Sequence, residues 1–111
     1  MATPAIVFAY GTQNTTSSEV TLFELIADRY ARAYLNLKNM AGGDTYRFRI
    51  YVWDEQLGEY MKIDADATHT YTGVQDPAGK RLPFEAATRY KVTVQRTAGT
   101  DKAVTWIRAQ V

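Results

Sequence analysis

The stretch Thr45-Tyr46-Arg47-Phe48-Arg49-Ile50-Tyr51-Val52-Trp53 alternates without a break. Tyr46, Phe48, Ile50 and Val52 point one way, and Thr45, Arg47, Arg49, Tyr51 and Trp53 point the other. Successive side chains leave a strand on opposite sides, so a period of two marks a β-strand with one face on a core. The apolar set is the expected core face. The Arg/Tyr/Trp set is a face that is either wet or covered by something else.

The same pattern recurs on both sides of this strand. In residues 89–97, Tyr90, Val92 and Val94 alternate with Arg89, Lys91, Thr93 and Gln95. Ala98-Gly99-Thr100-Asp101 then supplies turn chemistry, since Gly accepts positive φ and Asp bonds its own backbone. Residues 103–111 resume the alternation, with Val104 and Trp106 against Thr105 and Ile107. Two such runs around a Gly-containing loop predict a β-hairpin. A second hairpin is predicted from residues 31–38 to 45–53 across Gly42-Gly43-Asp44, because Ala31, Ala33, Leu35 and Leu37 alternate with Arg32, Tyr34, Asn36 and Lys38. A third, short pairing across residues 54–58 brings 59–63 back along the strand that ends at Trp53. Residues 67–74 read as a further strand, and 75–81 as a loop in which Pro77 bars a central strand.

Residues 18–40 carry two readings. Leu22, Ile26, Tyr30, Ala33, Leu37 and Met40 fall near one helical face, with Gly42-Gly43 as a stop. Val20, Thr21, Phe23, Tyr30 and Tyr34 favour strands, and the alternation from Ala31 is strict. The strand reading is preferred, as two strands broken near Ala27-Asp28. Residues 1–18 read as an extended arm or an ordinary first strand. As an arm, residues 2–10, with Ile6, Val7 and Phe8, would add to a neighbour's sheet edge.

Short strands at regular spacing with Gly/Pro/Asp connections predict an all-β fold: an antiparallel β-sandwich, Ig-like or jelly-roll, of about seven or eight strands. At 111 residues the chain has the length of one domain, 1–111, with one core. Hydrophobic residues at 46% and charged residues at 23% argue against disorder.

Several function classes are excluded or disfavoured. The chain has no cysteine, which removes disulfides, thiolate nucleophiles and Cys-based zinc sites. A net charge of +1 leaves no basic footprint for nucleic acid. No run approaches the ~18 apolar residues of a membrane span, and Met1-Ala2-Thr3-Pro4 lacks the basic start of a signal peptide. His69 is the one histidine. Beside Asp64 and Asp66 it could be a base or ligand, but with no nucleophile or further N or S ligand it reads as a strand residue bonding locally. Asp64-Ala65-Asp66 lacks the ligand series of a calcium loop and reads as a solvated strand edge. Asp54, Glu55 and Glu59 share one turn and do not face each other across a cleft. Gly42-Gly43 precedes no Lys-Ser/Thr, and Ser17 and Ser18 lack an elbow context. Asn14-Thr15-Thr16 matches a glycosylation acceptor by spacing alone. No enzyme, metal or cofactor is expected.

The informative feature is the Arg47/Arg49/Tyr51/Trp53 face, with Arg32, Tyr34 and Tyr60 as expected neighbours. Arg, Tyr and Trp dominate interface hot spots. The same residues could instead complete a second core layer, with Arg stems covering it.

Thr21-Leu22-Phe23-Glu24, then Leu35-Asn36-Leu37-Lys38-Asn39-Met40 with Gly43-Asp44, and Tyr90-Lys91-Val92-Thr93-Val94-Gln95-Arg96-Thr97-Ala98-Gly99-Thr100 together resemble small all-β proteins encoded among the structural genes of tailed phages and related viruses. Some of those serve as capsid decoration or cement proteins. The resemblance implies a virion structural protein on the capsid surface, bound in many copies to the major capsid protein and to copies of itself. It carries no catalytic residue with it. Tyr90-x-Val92-x-Val94 separately resembles the penultimate strand of Ig-like modules, and the competing expectation is a free-standing module recognising glycan or a host surface through Trp53, Tyr51 and Tyr60.

Overall fold

The computed structural model describes residues 7–26, 31–63, 68–82 and 89–110, and its regular elements are all strands. They are β1 (Val7–Asn14), β2 (Val20–Ile26), β3 (Ala31–Asn36), β4 (Thr45–Asp54), β5 (Glu59–Lys62), β6 (Thr68–Thr72), β7 (Gly79–Leu82), β8 (Arg89–Ala98) and β9 (Ala103–Gln110). One sheet has the order β1-β9-β3-β7, and the other β2-β8-β4-β5, with β6 also on β4. Every pairing is antiparallel. Among the described residues no helix is long and apolar enough to cross a membrane.

The predicted alternation decides what is buried. Tyr46, Phe48 and Ile50 of β4 and Tyr90, Val92 and Val94 of β8 meet Ala33, Leu35, Leu82 and Val104 of the opposite sheet in one core. Trp106 reaches from β9 to Phe23 of β2 with ring centroids 4.7 Å apart, tying the two layers together. Within residues 18–40 the described residues form the two strands β2 and β3 and no helix; the expected break near Ala27-Asp28 lies outside the described residues.

Pairing of first with last organises the whole chain. β1 lies on β9, β2 on β8, β3 on β7, and β4 on β5 and β6. The chain is therefore one long antiparallel hairpin whose tip is the β4–β5 turn, rolled until β3 meets β9 and β4 meets β8. At the tip, Asp54 Oδ1 accepts the N–H groups of Gln56 (2.9 Å) and Leu57 (3.1 Å), and Gly58 supplies a positive φ of 68°. The predicted β4–β5 hairpin is present. β5 and β6 run end to end along β4 on either side of Ile50, whose carbonyl accepts the Ile63 N–H at 3.3 Å. Nine described strands thus fill eight places, against the expected seven or eight.

Two predicted hairpins are not hairpins. β3 and β4 lie in different sheets, and so do β8 and β9. Alternation tells which side of a strand faces the core, and that side is the same for a hairpin and for a corner that crosses between sheets. The composition of the first connection decides it: Leu37 and Met40 are buried, so the chain dives through the core instead of turning at the surface. β7 also begins at Gly79, inside the span read as a loop, and Pro77 stays outside it.

The corners are held together by Asp44, which is only 2% exposed. Its carboxylate accepts hydrogen bonds from Lys102 Nζ (2.7 Å), the N–H groups of Thr100 (2.9 Å) and Ala41 (2.9 Å), and Thr100 Oγ1 (3.1 Å). Its own carbonyl accepts the Gly73 N–H at 2.8 Å. The β3–β4, β6–β7 and β8–β9 connections therefore meet on one residue. Thr15 adds the β1–β2 connection, exchanging hydrogen bonds with the Lys102 backbone at 3.0 and 3.1 Å.

Candidate functional site

The outward face of the sheet containing β4 gathers the residues singled out by the sequence. Arg47, Arg49, Tyr51 and Trp53 lie on one side of β4, and β5 places Tyr60 opposite Trp53. The Trp53 and Tyr60 rings meet edge to face, 5.0 Å apart. β8 runs on the other flank of β4, with Tyr51 opposite Lys91 and Arg49 opposite Thr93. From there the Arg89 guanidinium sits over the Trp53 ring at 4.4 Å and near Tyr60 at 5.4 Å. Lys91 Nζ lies 4.8 Å from the Tyr51 ring and 4.7 Å from Tyr60. Cations and rings interleave, held by the attraction of a positive charge to an aromatic face.

β2 and the segment before it complete the array with carboxylates. Glu24 pairs with Arg89 at 2.7 Å. Glu19 accepts hydrogen bonds from Tyr51 Oη (2.6 Å) and Thr93 Oγ1, and lies 3.6 Å from Arg49. Arg49 Nη1 also donates to Gln95 Oε1 at 3.0 Å. Burial pushes the Glu19 carboxyl up, but the hydrogen bonds from Thr93 and Tyr51 and the charges of Arg49 and Lys91 outweigh it and hold it below its ordinary value. The Arg89 hydrogen bond does the same for Glu24. Burial first, then the adjacent carboxylate, raises the Tyr51 and Tyr60 phenols, so both stay neutral across the physiological range, and Tyr51 donates to Glu19. The result is a polar–aromatic surface, half-buried by its own side chains and cross-linked by ion pairs and ring contacts.

Other sequence-selected residues fall elsewhere. Arg47 lies further along the same strand, donating to Thr70 at 3.4 Å. Tyr34 is not a neighbour of this face, because β3 belongs to the other sheet, and the β3 position of Arg32 does too. Phe8 occupies a β1 position opposite Ala109, and Ile6 lies outside the described residues. His69 stands opposite Phe48 on β6 and stacks on Tyr71 at 6.4 Å; its Nε2 has no hydrogen-bond partner among the described residues. Asp64 and Asp66 lie outside the described residues. Among those described, no group of three or more His, Asp or Glu side chains converges. A groove of about 240 Å³ on the other sheet, lined by Tyr34, Asn36, Gly79, Thr105 and Ile107, is below the size of ordinary small-molecule sites.

Alternation puts Arg89, Lys91, Thr93 and Gln95 on one face of their strand, but nothing local links that face to β4. The shared outward phase was visible; the pairing of β8 with β4 was not. Glu19 and Glu24 carried no signal of their own. Comparison with known protein families, curated proteins and solved structures finds no match for this chain.

Proposed function

We propose that this chain is a non-catalytic structural protein of a virion, a decoration or cement protein that docks on the major capsid protein in many copies and stabilises the shell. The observation carrying this reading is the Arg49/Tyr51/Trp53/Tyr60/Arg89/Lys91 array. It combines the residue types that dominate interface hot spots on one sheet face whose geometry is fixed by Glu19 and Glu24. A surface already ordered before binding loses little side-chain entropy on docking. The Arg89 guanidinium over Trp53 favours a protein partner over a sugar, which would stack on that ring face itself.

The pairing of first strand with last, through all eight places, supports the jelly-roll form of the sandwich over the Ig-like form. Jelly rolls recur in viral capsid and lectin domains. That likeness sets the context, and the face sets the role.

The test is co-sedimentation with shells assembled from the major capsid protein of the same genome. Saturable binding at a fixed number of copies per shell is expected, lost on Trp53→Ala and Tyr60→Ala in variants that still fold. Absence of binding at micromolar concentration contradicts the proposal.

A further inference from the structure

Among the described residues the two sheets have four outer edges, and three of them carry features that disfavour pairing with another chain. β7 is four residues long and bears Lys80 and Arg81. The β5–β6 edge is made of two short strands of four and five residues and bears Glu59 and Lys62. β2 bears Glu24, and its register shifts between Thr21 and Phe23, a bulge that twists the edge. Short length, charge and bulges are the usual defences of an exposed edge.

β1 has none of them. It is eight residues long, pairs with β9 through eight consecutive positions without a register shift, and reads Val-Phe-Ala-Tyr-Gly-Thr-Gln-Asn. It contains no charge and no proline, and the first charged side chain of the whole sequence is Glu19. Among the described residues only β9 pairs with it, so every second residue sends its N–H and C=O away from the sheet. Beside this edge two large apolar side chains face outward: Tyr10 is 82% exposed and its cross-strand partner Ile107 is 52% exposed.

We propose that β1 is a self-association edge, at which two copies of this chain join their β1 strands antiparallel and continue the four-stranded sheet across a two-fold axis. The occupant is a second copy because self-pairing demands that a strand tolerate itself. An uncharged strand meets its own image without like-charge repulsion, whereas the Lys80-Arg81 and Glu24 edges would oppose like charges. Antiparallel edge pairing is also isologous, so it closes at two copies and needs no second surface. Paired residues must share a face, so the axis falls on Tyr10 or on Gly11. With the axis on Tyr10 the two exposed Tyr10 side chains stand opposite each other; with the axis on Gly11 each stands opposite Thr12 of the other copy. The pairing stands whether or not the chain decorates a capsid.

The test is sedimentation equilibrium of the full chain. Wild type is expected at twice the 12.5 kDa chain mass at micromolar concentration. Tyr10→Lys/Thr12→Lys, at two exposed positions, is expected to raise the dimer dissociation constant at least about tenfold, with thermal unfolding confirming that the variant folds. Thr21→Lys, on the β2 edge, is expected to leave the dimer intact. A monomeric wild type, a dimer unaffected by the β1 lysines, or equal loss with Thr21→Lys would each overturn the pairing. A monomer whose β1 lysines abolish shell binding would assign the edge to the capsid protein instead, overturning this inference while leaving the virion role standing.

Discussion

Asp44 does more for this fold than its place after Gly42-Gly43 suggested. A turn aspartate normally bonds its own loop, but this one collects donors from the β3–β4 and β8–β9 connections and is nearly fully buried. The Lys102 hydrogen bond, then those from the backbone of Thr100 and Ala41, hold its carboxyl well below the usual range. Asp44→Ala leaves those donors without their acceptor, and the melting temperature should fall by about 10 °C or more in a scanning thermal melt. Gly99 is its steric counterpart. It sits at φ 84°, and a Cβ there would fall on Asp44 and the Gly43 carbonyl. Gly11 has a different constraint, since a Cβ would stand 2.7 Å from the Trp106 ring that links the sheets. Gly11→Ala should cost about 1–3 kcal/mol in urea unfolding, the usual penalty of overpacking. A loss below ~0.5 kcal/mol would show that Trp106 has room to shift.

At the level of elements, the contrast between hairpin and corner has a direct consequence. Leu37 follows β3 and is 1% exposed. A leucine in a surface hairpin loop tolerates truncation within about 0.5 kcal/mol, whereas Leu37→Ala should cost about 2–5 kcal/mol because it opens a cavity in the core. Denaturant titration separates the two. This residue also shows how far the sequence could be read. Strand positions and core phases of β4, β8 and β9 were legible because burial on one face imposes a period of two. Partners were not, since pairing first with last joins residues far apart in sequence, and no local pattern encodes that. β7 was missed because four residues are too few to display a period. The candidate face was half legible for the same reason: the β4 residues and Tyr60 share one local hairpin, while Arg89, Lys91, Glu19 and Glu24 arrive from strands that only the rolled topology brings alongside.

At the scale of the molecule, three carboxylates among the described residues, Asp44, Glu19 and Glu24, are held below their ordinary values in the fold. In the unfolded chain each takes up its proton near pH 4, so the unfolded state binds more protons as pH falls and stability declines with it. The contribution of these groups is complete above that range and is lost progressively below it. The melting temperature should therefore be level from pH 5 to 7 and drop steeply below about pH 4, with a shallower slope in Asp44→Asn. The proposed docking surface is the outward face of β4, β5 and β8. Hydroxyl-radical footprinting of the protein, free and bound to capsid shells, tests it directly, because tyrosine and tryptophan are strong reporters on both sheets. Tyr51, Trp53 and Tyr60 are predicted to lose reactivity on binding while Tyr10, on the other sheet, keeps the reactivity it has in the free protein; protection of Tyr10 with Trp53 and Tyr60 unchanged would contradict the account.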